Sequence, residues 1–265
     1  MAVAQAPGAG NQPVALVTGG GGGLGTVIAS VLLSDGFAVA IIERDPSLAE
    51  AAARAVDPDG RSANRLLTLT ADVTDDVQVD EAVGLIERRW GRLDALVNNA
   101  GIEPHHTLES IDRATWQTIQ DINLRAPLTL VQRCVPRWRR QGGGRIVTIG
   151  SRTWLAGGAT IGYVASKAGV VGLTRSFATE LGPIGVTANV VAPSFVRTPL
   201  NATKGDPEFV EQFASRFESL SPLGRLIEPR DVAYAVSFLL SDRARNITGE
   251  VLHVAAGTQL APMLR

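Results

Sequence analysis

The chain has 265 residues, 45% of them hydrophobic, a formal net charge of −1 and one cysteine, Cys134. A near-neutral balance gives no general pull toward nucleic acid or anionic lipid. A lone cysteine closes no internal disulfide, as expected in a reducing compartment, and no apolar run approaches the ~20 residues that cross a bilayer, so a soluble, cytoplasmic protein is expected.

Residues 1–12 are small, polar and uncharged. They read as a flexible tail that lacks the basic start and apolar run of a signal peptide, and 13–265 reads as one domain. Val14–Val17 predicts a strand and Leu24–Leu33 a helix, followed by strand Ala38–Ile42 and helix Leu48–Val56. Strand Leu66–Thr70 precedes helix Asp75–Trp90, whose start is marked by Thr74-Asp75-Asp76. Strand Ala95–Val97 precedes one long helix, Trp116–Arg139. Strand Arg145–Ile149 leads to helix Tyr163–Leu181, strand Val186–Val191 to helix Pro229–Leu240 with proline at its first position, and Val251–Val254 is the last strand. Most of these strands are apolar without alternation, as when both faces are covered. The alternation of strand and helix implies the α/β class: a Rossmann-like doubly wound parallel sheet of about seven strands with helices on both faces. Ligands in such sheets bind beyond the carboxyl ends of the strands, where strand order reverses. The residues just after strands are therefore the candidates for function.

After the first strand comes Thr18-Gly19-Gly20-Gly21-Gly22-Gly23-Leu24-Gly25, then a helix. Glycines let the backbone turn tightly and approach a pyrophosphate at a helix N-terminus. Five consecutive glycines fit more than one register of that fingerprint, Gly20-x-Gly22-x-x-Gly25 and Gly19-x-x-x-Gly23-x-Gly25 among them. About twenty residues on, the second strand ends in Glu43-Arg44-Asp45; an acid there accepts bonds from an adenosine ribose and repels a 2′-phosphate, favouring NAD, whereas Arg44 could reach such a phosphate and favour NADP. Further on, Tyr163 and Lys167 lie four apart and share one helix face. An ammonium beside a phenol favours the phenolate; bringing tyrosine from ~10 to near neutrality takes roughly 3 units, or about 4 kcal/mol.

Together these residues resemble the short-chain dehydrogenase/reductase family in its compact single-domain branch, over nearly all of 13–258. Thr18-Gly-x-x-x-Gly23-x-Gly25 is similar to its cofactor loop, Asp72-Val73 to its adenine-contacting pair and Asn98-Asn99-Ala100-Gly101 to its NNAG motif. Asn123, Ser151, Tyr163 and Lys167 match its catalytic four. The resemblance implies interconversion of a secondary alcohol and a ketone by hydride transfer, with Tyr163 as general acid/base and Ser151 stabilising charge on the substrate oxygen. It implies that Lys167 supports the phenolate and a ribose hydroxyl, and that Asn123 fixes a water linking Lys167 to solvent. Cofactor contacts are implied at Thr18, Gly19, Gly22, Gly23, Leu24, Gly25, Glu43, Arg44, Asp72, Val73, Asn99, Ala100, Gly101, Tyr163, Lys167, Pro193, Val196 and Thr198. The cofactor expected is NAD, with NADP the lesser alternative, no metal is expected, and the assembly implied is a homotetramer. Where the family usually has Pro-Gly, this chain has Pro193-Ser194.

Substrate contacts are expected at Ser151, Thr153, Trp154, Tyr163 and Ser194, with Arg152 beside them. Residues 195–220 are expected to form a lid that carries an aromatic stripe, Phe209, Phe213 and Phe217. Glu103, His105 and His106 read as pocket-rim or solvent residues. The arginines around Trp138 read as a solvated helix end and Cys134 as a spectator. The alternatives are an NADPH-dependent 3-oxoacyl reductase, a non-catalytic dinucleotide sensor or scaffold, and a sugar-nucleotide epimerase or dehydratase. For the last, the chain leaves little room for a C-terminal substrate domain.

Overall fold

The computed structural model describes residues 12–198 and 207–260. The expected tail therefore falls almost wholly outside the described residues, as does the 199–206 part of the expected lid. The strands are β1 (Val14–Thr18), β2 (Ala38–Glu43), β3 (Leu66–Thr70), β4 (Ala95–Asn98), β5 (Gly144–Ile149), β6 (Val186–Pro193) and β7 (Val251–Val254). They form one seven-stranded sheet in the order β3-β2-β1-β4-β5-β6-β7, and every pairing is parallel. The helices are α1 (Gly23–Ser34), α2 (Pro46–Val56), α3 (Asp76–Trp90), α4 (Arg113–Gln120), α5 (Ala126–Gln141), α6 (Thr153–Ala156), α7 (Ile161–Leu181), α8 (Pro207–Leu220) and α9 (Pro229–Leu240).

Alternation along β1 explains the layers. Ala15 and Val17 point into a core with Ile28 and Leu32 of α1 and Val232 and Val236 of α9. Val14 and Leu16 point the other way, onto Val79 of α3, Leu130 of α5 and Phe177 of α7. Because both faces are covered, all five residues of β1 are buried, which is why the strand reads as an unbroken apolar run. Strand order reverses between β1 and β4, whose Val17 and Val97 are paired. The loops after those two strands open a crevice there.

The expected long helix Trp116–Arg139 is instead three segments: α4, a π-helical turn at Asp121–Arg125, and α5. Pro127 has no N–H to give to the carbonyl of Asn123 four residues earlier, so the ordinary α-helical ladder cannot run through Asn123. Single π turns of this kind recur at functional sites.

Cys134 is fully buried, and burial pushes its thiol up to about 12, so it is no nucleophile. Trp138 is also buried and donates to the carbonyl of Leu93 (3.0 Å), while Arg137 and Arg140 pair with Glu87 and Arg133 with Asp80 of α3. That basic cluster is a helix–helix seam.

Candidate active site

The crevice is built from the glycine loop. The Thr18 hydroxyl accepts from the backbone N–H groups of Asn99 and Ala100, both at 3.1 Å, while the Asn99 amide donates to the carbonyls of Thr18 (2.9 Å) and Gly19 (3.0 Å). The ends of β1 and β4 are thereby stapled across the switch point. Gly19 has φ +63, and a Cβ on it would stand 2.8 Å from the Cα of Ala100. A Cβ on Gly25 would stand 2.8 Å from the Asn99 amide and strike the Gly19 carbonyl. The Thr26 hydroxyl, which sequence reasoning missed, closes the loop by donating between the carbonyls of Gly20 (2.8 Å) and Gly22 (3.0 Å). Helix α1 then begins at an N-cap, Gly22, that has no side chain to offer its first turn. The first turn of that helix, Gly23, Leu24 and Gly25, lines a cavity of about 670 Å³. Such a terminus is suited to an anion.

Every expected cofactor residue lines this cavity except Thr18, which is 1% exposed and works from beneath. Glu43 sits at the end of β2, its carboxylate accepting from Gly21 N–H (3.1 Å), Arg44 N–H (2.9 Å) and Asp45 N–H (3.2 Å). Arg44 swings over the cavity to within 4.0 Å of Asp72. Asp72 itself accepts from the backbone and hydroxyl of Thr74. The dimensions, the uncapped helix start and the close glycine contacts fit a dinucleotide with its pyrophosphate at α1.

A second cavity, about 80 Å³, opens beside the first and is lined by Glu103, Arg152, Thr153, Phe195, Phe213 and Phe217 among others. Ser151, Tyr163 and Ser194 line both. The two hydroxyls meet on that shared wall. Thr153 donates to Ser151 Oγ from its hydroxyl (2.9 Å) and its N–H (3.3 Å), which leaves the Ser151 proton for the Tyr163 oxygen. Phe213 and Phe217 of α8 pack on Phe195 and form the apolar side; Phe209, at the outer end, stacks on Phe213.

Lys167 is 5% exposed, and its Nζ donates to the carbonyl of Ile149 (2.8 Å). Its ammonium lies 5.4 Å from the centroid of the Tyr163 ring. The expected acidification of the phenol by this lysine does not arise from the chain's own atoms. Burial pushes the Tyr163 hydroxyl above its ordinary value, Glu103 adds to the rise, and the Ser151 bond opposes it. Burial pulls Lys167 down to about 8, with Glu103 working against the fall. Both groups are desolvated so strongly that the neutral forms gain.

Asn123 is 1% exposed and its side chain is spent on the scaffold. Oδ1 accepts from Ile102 N–H (2.8 Å), and Nδ2 donates to the Ile102 carbonyl (2.9 Å) and to Ser166 Oγ (3.0 Å). Ser166, also missed, passes the tie on by donating to the Tyr163 carbonyl (2.7 Å). The π turn, the loop after β4 and α7 are thus locked one turn from the reactive phenol. His106 is a buried brace rather than a rim residue: its Nδ1–H donates to the Pro104 carbonyl (2.9 Å) and its Nε2 accepts Gly162 N–H (3.2 Å). Trp154 lies outside both linings. It stacks on His253 and donates to it (3.2 Å), packing against Val171 and Val190, because α6 turns it toward β7. Among the described residues, no group of three or more His, Cys, Asp or Glu is arranged to hold a metal ion, and no helix is long and apolar enough to cross a membrane.

A family model described as enoyl-(acyl carrier protein) reductase matches residues 20–259. The chain is 38% identical, over 93% of its length and 96% of the relative's, to the (2S)-((R)-hydroxy(phenyl)methyl)succinyl-CoA dehydrogenase subunit BbsD of Thauera aromatica. It is 35% identical, over 92% of its length and 96% of the relative's, to the 3-oxoacyl-(acyl-carrier-protein) reductase FabG of Staphylococcus aureus. The crystal structure of levodione reductase superposes with a TM-score of 0.89 at 35% identity, covering 96% of this chain and 100% of that one.

Proposed function

The chain belongs to the short-chain dehydrogenase/reductase family and is an NAD(P)-dependent oxidoreductase of alcohols and ketones; on that premise we propose that it uses NAD and acts on a secondary hydroxyl through Tyr163. The observation that carries the reading is the Ser151–Tyr163 pair on the wall between the two cavities. The loop from Gly19 to Gly25, with Glu43, Asp72, Val73, Asn99, Ala100, Gly101, Pro193, Val196 and Thr198, would hold the dinucleotide, and Thr18 would buttress it. A bound nicotinamide accepts or gives the hydride and, when oxidised, brings a positive charge. In oxidation Tyr163 takes the proton of the substrate hydroxyl, and in reduction it returns one to the carbonyl oxygen. Ser151, itself held by Thr153, donates to that oxygen while charge builds on it. Lys167 contributes a cation at the back of the phenol. Asn123 holds the π turn and α7 in register, and a water linking Lys167 to solvent would use the same corner.

Glu43 supports NAD, since an acid at the end of β2 would accept from a ribose hydroxyl and repel a 2′-phosphate. The second reading, an NADPH-dependent 3-oxoacyl reductase, draws on Arg44 and on the FabG relative. Initial rates with both coenzymes over a panel of ketones and secondary alcohols decide between them; a clear NADPH preference overturns the Glu43 argument. Tyr163→Phe is expected to lower kcat by about 10²–10⁴-fold, the range of general acid–base catalysis, with coenzyme affinity nearly unchanged. Undiminished turnover in that variant would remove Tyr163 from the chemistry. A homotetramer in the cytoplasm completes the proposal. Exposed Tyr234 and Phe238 on α9 and Leu252 on β7 support association, and size-exclusion chromatography with light scattering tests it.

A further inference from the structure

Arg152 follows the catalytic serine directly, and its side chain lines the small cavity together with Ser151 and Tyr163. It is 8% exposed. Its Nη1 donates to the Thr258 carbonyl (2.7 Å), its guanidinium lies 5.0 Å over the Phe217 ring, and its Nε has no partner. Among the described residues it pairs with no carboxylate, and burial alone acts on its titration, disfavouring the charge. Arginine cannot shed its proton to escape that cost. One carbonyl and one ring face do not replace the water that such a cation gives up. A guanidinium that lines a cavity with N–H groups left unbonded is matched by a carboxylate.

We propose that Arg152 is an anchor for a carboxylate on the substrate, so that the enzyme prefers a small hydroxy acid or oxo acid to its neutral counterpart. This rests on the function proposed above and names its substrate class. The cavity divides accordingly. The substrate's hydroxyl or carbonyl faces Ser151 and Tyr163, its acid faces Arg152, and its carbon chain lies along Phe195, Phe213 and Phe217. Glu103 lines the same cavity and its charge reaches Tyr163 and Lys167.

Binding separates this inference from the reading beneath it. Short oxo-carboxylates and their primary amides, matched in carbon chain, are titrated against the holoenzyme by thermal shift and as substrates. The acids are expected to bind wild-type protein at least about tenfold more tightly than the amides, the size of one charge-assisted bond. Arg152→Gln should bring the ratio near one, and Arg152→Lys should restore part of it. Loss of the Thr258 contact alone would weaken acid and amide alike, so the ratio distinguishes an anchor from a structural brace. Equal binding of acid and amide by the wild-type protein, or an acid preference that survives Arg152→Gln, overturns the proposal. Should Arg152→Gln fail to fold, the wild-type ratio and Arg152→Lys still decide. Acid-selective binding with no turnover under either coenzyme upholds the anchor and counts against the oxidoreductase reading; turnover of neutral alcohols with no acid preference does the reverse.

Discussion

Lys167 and Tyr163 are both driven toward neutrality by burial, and that has a measurable sign. The unfolded chain holds the Lys167 proton up to 10.5, and the folded chain releases it near 8. Between those values the unfolded state binds more protons, so stability rises with pH across that window. The 2.5-unit gap (10.5 − 8) is worth on the order of 3 kcal/mol. Lys167→Met is therefore expected to flatten the stability–pH curve, measured by urea denaturation from pH 8 to 10.5, while abolishing turnover. An unaltered slope would mean that the lysine is better solvated than its burial implies. Glu103 acts at the same site through its charge, holding Tyr163 and Lys167 protonated to higher pH. Glu103→Gln should then move the ascending limb of kcat/KM for alcohol oxidation toward lower pH. A limb that stays put, or moves up, would show that this carboxylate is screened from the phenol.

Element by element, the glycine loop separates positions that a fingerprint treats alike. A Cβ at Gly25 meets the Asn99 amide at 2.8 Å and the backbone of Gly19, neither able to yield without opening the β1–β4 staple. At Gly22 the nearest atom is the Gly19 carbonyl at 3.4 Å, an ordinary contact, and its φ of −77 suits any residue. Gly25→Ala is expected to cost about 1–3 kcal/mol through overpacking and to weaken coenzyme binding sharply. Gly22→Ala should leave stability within about 0.5 kcal/mol. Equal Tm values for the two variants would refute the contrast. The strands, the loops after them and the order of the motifs were legible because each is a local pattern: an apolar run, a glycine cluster, a helix start at Asp75. The break in the helix around Asn123 was hidden, although Pro127 in an otherwise helical pattern was the available signal. Trp154 was misplaced because following the catalytic serine in sequence does not fix which way a short helix turns its rings. His106 was misread as a rim residue and Ser166 was missed because their partners, Gly162 on one side and Asn123 on the other, lie 56 and 43 residues away. Such ties exist only once the fold has formed.

For the molecule as a whole, the site spans both halves of the sheet, with Gly19 to Asp72 on one side of the switch point and Asn99 to Thr198 on the other. A ligand seated there touches loops after most of the strands, so it reports on global folding rather than on one segment. Anything that binds the native state alone adds RT ln(1 + [L]/Kd), about 2.7 kcal/mol at a hundredfold excess over Kd. For a domain of this size that is roughly 5–10 °C in Tm. NADH is expected to give such a shift, and NADPH at the same concentration a smaller one, because the Glu43 carboxylate repels the 2′-phosphate. Glu43→Ser should narrow the difference from both directions: NADPH gains from lost repulsion while NADH loses a ribose acceptor. The same substitution also takes an acceptor from the N–H of Gly21 (3.1 Å), so some stability is expected to be lost without any ligand. The difference between the two coenzyme-induced shifts is thus the decisive quantity. Were that difference unchanged in Glu43→Ser, coenzyme choice would have to be assigned to Arg44 and Asp72 instead.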